Sequence, residues 1–145
     1  MKLWLISALL FTIGVLAGAQ SGSSGGVHVD PAKVAAALAK GGPLVTRPDL
    51  LVSGSHRETG GKVEVHDKET DVIYVVDGDA TFVFGGKMEG GKVTSPGQWQ
   101  GADITGGETH RIAKGDVFVI PAGIPHWFKE VPKSVSYFVV KVLKP

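Results

Sequence analysis

From Leu44 onward, hydrophobic and polar residues follow the two-residue period of β-strands. The apolar runs are short and rich in β-branched and aromatic residues, and Gly-Gly, Asp-Gly and Pro-Gly pairs separate them. Strands are predicted at residues 50–52, 63–66, 72–76, 80–84, 117–120 and 135–143. Many short strands at such spacing are typical of an all-β sandwich or barrel.

Two local signals add detail to this pattern. Asp77-Gly78 lies between two apolar runs and predicts a β-hairpin with a type I′ turn. Ahead of the strands, Asp30 and Pro31 provide an N-cap and a first-turn proline, and Gly41-Gly42 ends the segment. One short helix is therefore predicted, with its apolar face resting on the sheet.

Residues 87–109 differ in character, because they are polar and Gly-rich and contain Trp99 as their only large aromatic residue. This composition fits either a long hairpin or a loop over the mouth of a barrel. Trp99 then acts as a lid in one interpretation and packs against the outside of the barrel in the other.

The first nineteen residues have the pattern of a signal peptide. Lys2 precedes an apolar run at residues 3–16, and small residues at 17–19 form a cleavage site. The run is short for a membrane anchor, so we expect export to the periplasm or the extracellular space without a stable anchor, an uncleaved anchor being the alternative. Residues 20–29 are expected to form a flexible leader and residues 30–145 one folded domain.

Composition excludes several classes of function. The formal net charge is +1 and charges of both signs are interspersed, so nothing indicates a nucleic-acid partner. The chain contains no Cys, which excludes disulfides, thiolate metal sites and a cysteine nucleophile. Phosphate-loop, dinucleotide-binding, HExxH and GxSxG motifs do not occur. Histidines and carboxylates are the remaining groups for site chemistry.

The stretch from Gly115 to His126 is the most informative one in the chain. It predicts a turn, a short apolar strand, a second turn fixed by Pro121 and Gly123, and then a histidine that the backbone aims. The spacing resembles the second signature of the cupin superfamily, with Glu130 where the family has Asn. The resemblance implies a double-stranded β-helix, or jelly-roll barrel, with His126 directed at its interior.

A first cupin signature is expected upstream, and the chain matches it in part. Where the family has two His, a Glu and a Gly, this sequence has Glu64, His66, Asp71 and Gly78. A second alignment with the signature, anchored on Gly60, would place His66 and Lys68 at the two His positions, but it leaves too few residues before Asp71. In the first register, Glu64 and His66 project from the same face of a strand.

The combined set, implied by the resemblance, is a metal site made of Glu64, His66, Asp71 and His126. Two imidazoles with one or two carboxylates suit a divalent metal ion, and Fe, Mn, Ni and Zn are all admissible. The alternatives are a metal-free pocket in which these groups serve as acid and base, and a structural polar cluster. Glu64 and Asp71 are the expected catalytic carboxylates, acting as general base where they do not bind the ion.

Two further histidines are candidate members of the site. His56 lies on a preceding strand and is a substitute for the missing family histidine, whereas His110 is expected on a solvated hairpin.

Cupins host dioxygenases, isomerases, lyases and binding proteins, so fold alone leaves the activity open. We expect a metal-dependent enzyme that acts on a small, largely apolar or aromatic molecule. The alternative is a non-catalytic binding or storage-like module, and the resemblance also implies pairing into a homodimer.

Overall fold

The computed structural model describes residues 25–144, so the predicted signal peptide at residues 1–19 lies outside the described part of the chain. The predicted helix is confirmed as α1, Pro31–Lys40. Asp30 caps it by accepting a hydrogen bond of 3.0 Å from the backbone N–H of Lys33. No helix within residues 25–144 has the length and apolar character needed to cross a bilayer.

Twelve strands follow α1 in the described residues. They are β1 Gly42–Thr46, β2 Leu50–Arg57, β3 Val63–His66, β4 Glu69–Phe84, β5 Lys87–Glu89, β6 Lys92–Ser95, β7 Gln98–Gly101, β8 Asp103–Thr105, β9 Glu108–Ala113, β10 Val117–Ile120, β11 His126–Glu130 and β12 Val135–Leu143. All the pairings between them are antiparallel. The all-β prediction is therefore confirmed.

Ten of the twelve strands form two sheets that share β4, and β5 pairs separately with β8. The first contains β1, β2, β12, β4 and β10, and the second contains β6, β7, β3, β11, β4 and β9. The hydrophobic core draws on both sheets, and its most completely buried members include Phe82, Val75 and Val135. This arrangement is the jelly roll that the resemblance implies. Its interior lies between the two sheets.

The hairpin predicted at Asp77-Gly78 is wrong, because β4 runs without reversal through this dipeptide. A type I′ turn requires positive φ at both central residues. Gly78 has φ 79°, but in the described chain only glycines have positive φ, so Asp77 does not meet this requirement and the turn is absent. Instead, the part of β4 before Gly78 pairs with β10 and β12, and the part after it pairs with β9 and β11. The glycine marks the point where the strand passes from one sheet to the other.

Trp99 lies on the outer face of the second sheet. Its position on β7 is paired with Val65 of β3, whereas Gln98 is paired with His66. Because side chains alternate between the two faces of a sheet, Trp99 projects away from the face that carries His66. Its indole N–H donates to Asp67 Oδ1 at 3.0 Å. The lid interpretation is wrong, and residues 87–109 form short strands rather than a loop over the barrel.

Helix α1 rests on the outside of the first sheet, as expected. The contact is close at Gly54 of β2, where an added Cβ would lie 2.7 Å from the backbone carbonyl carbon of Ala37. Ala37 is the buried residue of the helix. The helix thus supports β2, the strand that borders one side of the barrel interior.

Candidate metal centre

The structure brings the four predicted site residues together around one cavity of about 270 Å³ between the two sheets. β3 contributes Glu64 and His66 from a single face, β11 contributes His126 directly opposite Glu64, and β4 contributes Asp71. The complete lining is Ser55, Arg57, Glu64, His66, Asp71, Ile73, His126, Phe128, Tyr137, Val139 and Lys141. Most of these side chains are polar.

The two histidines converge on the carboxylate of Asp71. Nε2 of His66 lies 3.6 Å from Asp71 Oδ2, and Nε2 of His126 lies 3.7 Å from the same oxygen. The ring centroids of the histidines are 5.1 Å apart. All three side chains are buried, so this polar cluster is held by the fold and not by solvent.

The opposite nitrogen of each imidazole is held by an oxygen that accepts a hydrogen bond. His126 Nδ1 lies 3.2 Å from the carbonyl oxygen of Ile124, and His66 Nδ1 is hydrogen-bonded to the side-chain oxygen of Gln98. Because these oxygens can only accept, each Nδ1 carries the proton and each Nε2 presents its lone pair to the cavity. This is the tautomer that binds a metal ion through Nε2.

Burial keeps His126 neutral. It lowers the pKa of this imidazole below its ordinary value, and the negative charge of Asp71 only partly opposes the effect. The Nε2 lone pair of His126 is therefore available at neutral pH.

Lys141 is a site residue that the sequence reasoning missed. It is paired with Asp71 in the register of β12 and β4, and its ammonium donates to both Asp71 oxygens at 2.9 and 3.0 Å. It also forms an ion pair of 2.8 Å with Glu69. Burial raises the pKa of Glu69, but the hydrogen bond and charge of Lys141 outweigh it and leave the pKa below its usual value.

Gln98 completes a chain of contacts behind the histidines. Its side-chain oxygen faces His66 Nδ1, and its amide donates to Glu69 Oε1 at 2.8 Å. Since Glu69 is bound to Lys141 and Lys141 to Asp71, Gln98 connects the Nδ1 side of His66 to this ion-pair network.

Two overlapping groups of ligand atoms could hold an ion, Glu64 with His66 and His126, and His66 with Glu69 and Asp71. Within each group these atoms lie within 4.8 Å of one another. Both carboxylates of the second group are already bound to Lys141, whereas Glu64 forms no ion pair in the described part of the chain. Imidazole and carboxylate together fit a divalent ion of intermediate hardness, and the first group fits it without displacing a lysine.

The two further candidate histidines, His56 and His110, do not join this site. His56 Nδ1 is hydrogen-bonded to Ser136 Oγ at 2.8 Å, and neither residue lines the cavity. His110 is exposed and stacks on Phe84 with the ring centroids 5.2 Å apart. The substitute role considered for His56 is not supported by its position.

The cavity also contains a second cation beside Lys141. Arg57 of β2 lines it, and its Nε donates to the hydroxyl of Tyr137 at 2.9 Å. The guanidinium carbon lies 5.0 Å from the centre of the Phe128 ring. Arg57 therefore extends from the first sheet to the second across the cavity.

Comparisons with known proteins agree with this architecture. A family model described as Cupin matches residues 57–145. The cupin domain of Schizosaccharomyces pombe Cnp3 is 13% identical with a TM-score of 0.52, over 71% of this chain and 59% of that chain. KdgF from Halomonas sp. is 21% identical with a TM-score of 0.49, over 72% and 79% of the two chains. A cupin protein from Bacteroides fragilis is 13% identical with a TM-score of 0.48, over 67% and 68%.

At such identities the structural likeness concerns the fold alone. A comparison with curated proteins finds no significant match. The matched family region includes all four predicted site residues and Lys141.

Proposed function

Since this chain belongs to the cupin family, we propose that it binds a divalent transition metal ion inside its barrel and acts there on a small molecule. The observation that carries the proposal is the convergence of two buried Nε2 atoms, whose Nδ1 partners fix the metal-binding tautomer. Glu64, His66 and His126 would hold the ion, with Asp71 beside them. Fe, Mn, Ni and Zn all suit this donor set.

The bound ion would supply Lewis-acid chemistry or a site for O₂. We assign Glu64 to the ligand set because it has no cationic partner among residues 25–144. Asp71 is assigned to proton transfer, because Lys141 holds its carboxylate beside both imidazoles. The carboxylate of Asp71 would accept a proton from a bound molecule and the ammonium of Lys141 would donate one back, as an isomerase or lyase requires.

The cavity determines what kind of molecule fits this role. A volume of about 270 Å³ admits only a small ligand. Ile73, Phe128 and Val139 give it an apolar wall, but the remaining lining groups are polar or charged. We therefore propose a small polar molecule rather than the apolar or aromatic one expected from the strand composition.

A second candidate function rests on Lys141. Its ammonium is paired with both Asp71 and Glu69, so these two carboxylates already share a cation without a metal ion. A metal-free pocket would use His66, Asp71 and Lys141 as acid and base, or would bind a molecule without changing it. The metal content of the protein separates the two candidates.

We also propose that the protein is exported and that residues 1–19 are removed, in line with the signal-peptide pattern. N-terminal sequencing of the protein purified from its own cells tests this. A mature chain that begins at Gln20 is expected, and an intact residue 1 would contradict export by cleavage.

Elemental analysis tests the metal proposal. The mature protein, purified without added metal, is compared with the Glu64→Ala and His126→Ala variants, and His110→Ala serves as the control for loss of a histidine outside the cavity. Near-stoichiometric metal in the wild type and the control, and its loss from both site variants, is the expected result. A folded wild type that contains no metal and takes none up would overturn the proposal.

A further inference from the structure

We infer that Arg57 forms a carboxylate-binding subsite at the side of the cavity opposite Lys141, so that the ligand of this protein is a small organic anion. The inference rests on the proposed metal site and names the class of molecule that it receives.

Strand β2 directs an unusual set of side chains at the barrel interior. Arg57, Ser55 and Ser53 alternate along it, and they are opposite the buried residues Val135, Tyr137 and Val139 of β12. Paired residues share a face of the sheet, so the serines and the arginine project inward with these apolar partners. Inward positions of a barrel strand are usually apolar, and polar groups placed there indicate a ligand.

The Arg57 guanidinium is oriented by three contacts that leave its terminal nitrogens free. Nε donates to Tyr137 at 2.9 Å, the group lies over Phe128, and Nη1 lies near Gly61, where an added Cβ would be 2.8 Å from it. Neither Nη1 nor Nη2 is hydrogen-bonded to another residue of the described chain. No carboxylate within residues 25–144 forms an ion pair with Arg57. A guanidinium fixed in this way presents two parallel donors, which match the two oxygens of a carboxylate.

The charges of the side chains around the cavity also favour an anionic ligand. Lys141 is already surrounded by Asp71 and Glu69, so Arg57 is the cation that lacks a counterion. The three carboxylates Glu64, Glu69 and Asp71 exceed the two cationic side chains by one negative charge. A bound divalent ion would change the net charge of the cavity from one negative to one positive charge, and a bound monocarboxylate would then neutralise that positive charge.

Pyruvate and its uncharged analogue pyruvamide are suitable probes, because they have nearly the same shape and an uncharged NH2 group replaces one carboxylate oxygen of pyruvate. Isothermal titration is performed on the metal-loaded and the metal-free wild type, on Arg57→Gln and on Arg57→Lys. Arg111→Gln is the control, since Arg111 is exposed and bound to Asp79 outside the cavity. We expect pyruvate to bind at least about tenfold more tightly than pyruvamide, and Arg57→Gln to remove that preference. Arg57→Lys should restore only part of it, because lysine lacks the two parallel donors.

Gly61→Ala provides a second variant that leaves the arginine in place. Its methyl group would push Nη1 aside, so pyruvate affinity should fall while metal content and the thermal midpoint stay unchanged. Equal binding of pyruvate and pyruvamide, or full pyruvate affinity in Arg57→Gln, would overturn the subsite. Metal analysis of the same samples distinguishes this failure from failure of the metal site. Arg57-dependent pyruvate binding to the metal-free protein would support the subsite even if no metal binds.

Discussion

At the scale of single residues, Lys141 provides the cation that pairs with both Asp71 and Glu69. Asp71 is 4% exposed, and a buried carboxylate is unfavourable unless a cation or several donors accompany it. The sequence contained a signal for this residue, because Lys141 follows the inward-facing Val139 by two positions on a mostly apolar strand. Its partner could not be identified, since the register of β12 and β4 joins residues 70 positions apart.

Replacing Lys141 with Met should destabilise the metal-free protein by about 3 kcal/mol, because Asp71 and Glu69 lose their common cation. Added Zn²⁺ should then raise the thermal midpoint of Lys141→Met more than that of the wild type, since the ion takes over the role of the ammonium. Urea unfolding and thermal denaturation measure both effects. Lys133→Met, at an exposed position, is the control. Equal stability of the two variants would contradict the assigned ion pairs.

Gln98 is predicted to act through His66. Gln98→Leu removes the acceptor of the Nδ1 proton and should weaken metal binding about 10–100-fold, as loss of such partners usually does. Gln98→Glu keeps an acceptor and should retain most of the affinity. Competition with a chromophoric chelator gives the affinity, and ¹⁵N NMR reports the tautomer of His66. Unchanged affinity and tautomer in Gln98→Leu would show that the ring is oriented by other contacts.

At the scale of elements, β4 organises the molecule because it belongs to both sheets. The helix cap at Asp30, the bounds of β3 and the short strand β10 were all predictable from local patterns. The course of β4 was not. A glycine after an aspartate suits a hairpin turn and a passage between sheets equally well, and only the partners of the flanking residues distinguish the two.

The crossing point makes Gly78 intolerant of a side chain. Gly78→Ala should cost at least about 3 kcal/mol, because φ is 79° and the methyl group would collide with the carbonyl of Ser134. Gly106→Ala is the matched control, since its φ is 72° but open space surrounds it, and it should cost about 1 kcal/mol. The difference in unfolding free energy between the variants measures the close approach alone. Similar costs for both would contradict the packing described at the crossing.

At the scale of the whole molecule, two sheets carry the two halves of the site. β3 and β11 of the second sheet carry Glu64, His66 and His126, and the first-sheet part of β4 carries Asp71. The sequence motifs predicted these four residues because the resemblance supplied their spacing. Arg57, Gln98 and Lys141 belong to no motif and enter the site only through strand pairing. Export and pairing into a homodimer stay predictions.

An ion that joins β3 and β11 through Glu64, His66 and His126 should stabilise the folded state as a whole. At a free metal concentration of 100 times the dissociation constant, the gain is about 2.7 kcal/mol, which corresponds to a rise of about 10 °C in the thermal midpoint. Removing metal with a chelator should lower the midpoint by this amount, and readdition should restore it. His126→Ala should show no such response. An identical response in that variant would assign the ion to another place.

Anomalous diffraction from crystals grown with the native or an added transition metal would locate the ion. We expect one strong peak, about 2.0–2.2 Å from Nε2 of both His66 and His126 and from a carboxylate oxygen of Glu64. A well-ordered cavity with no peak, in crystals soaked with excess metal, would show that these residues do not form a metal site. So would a peak bound elsewhere on the protein and not to these two imidazoles.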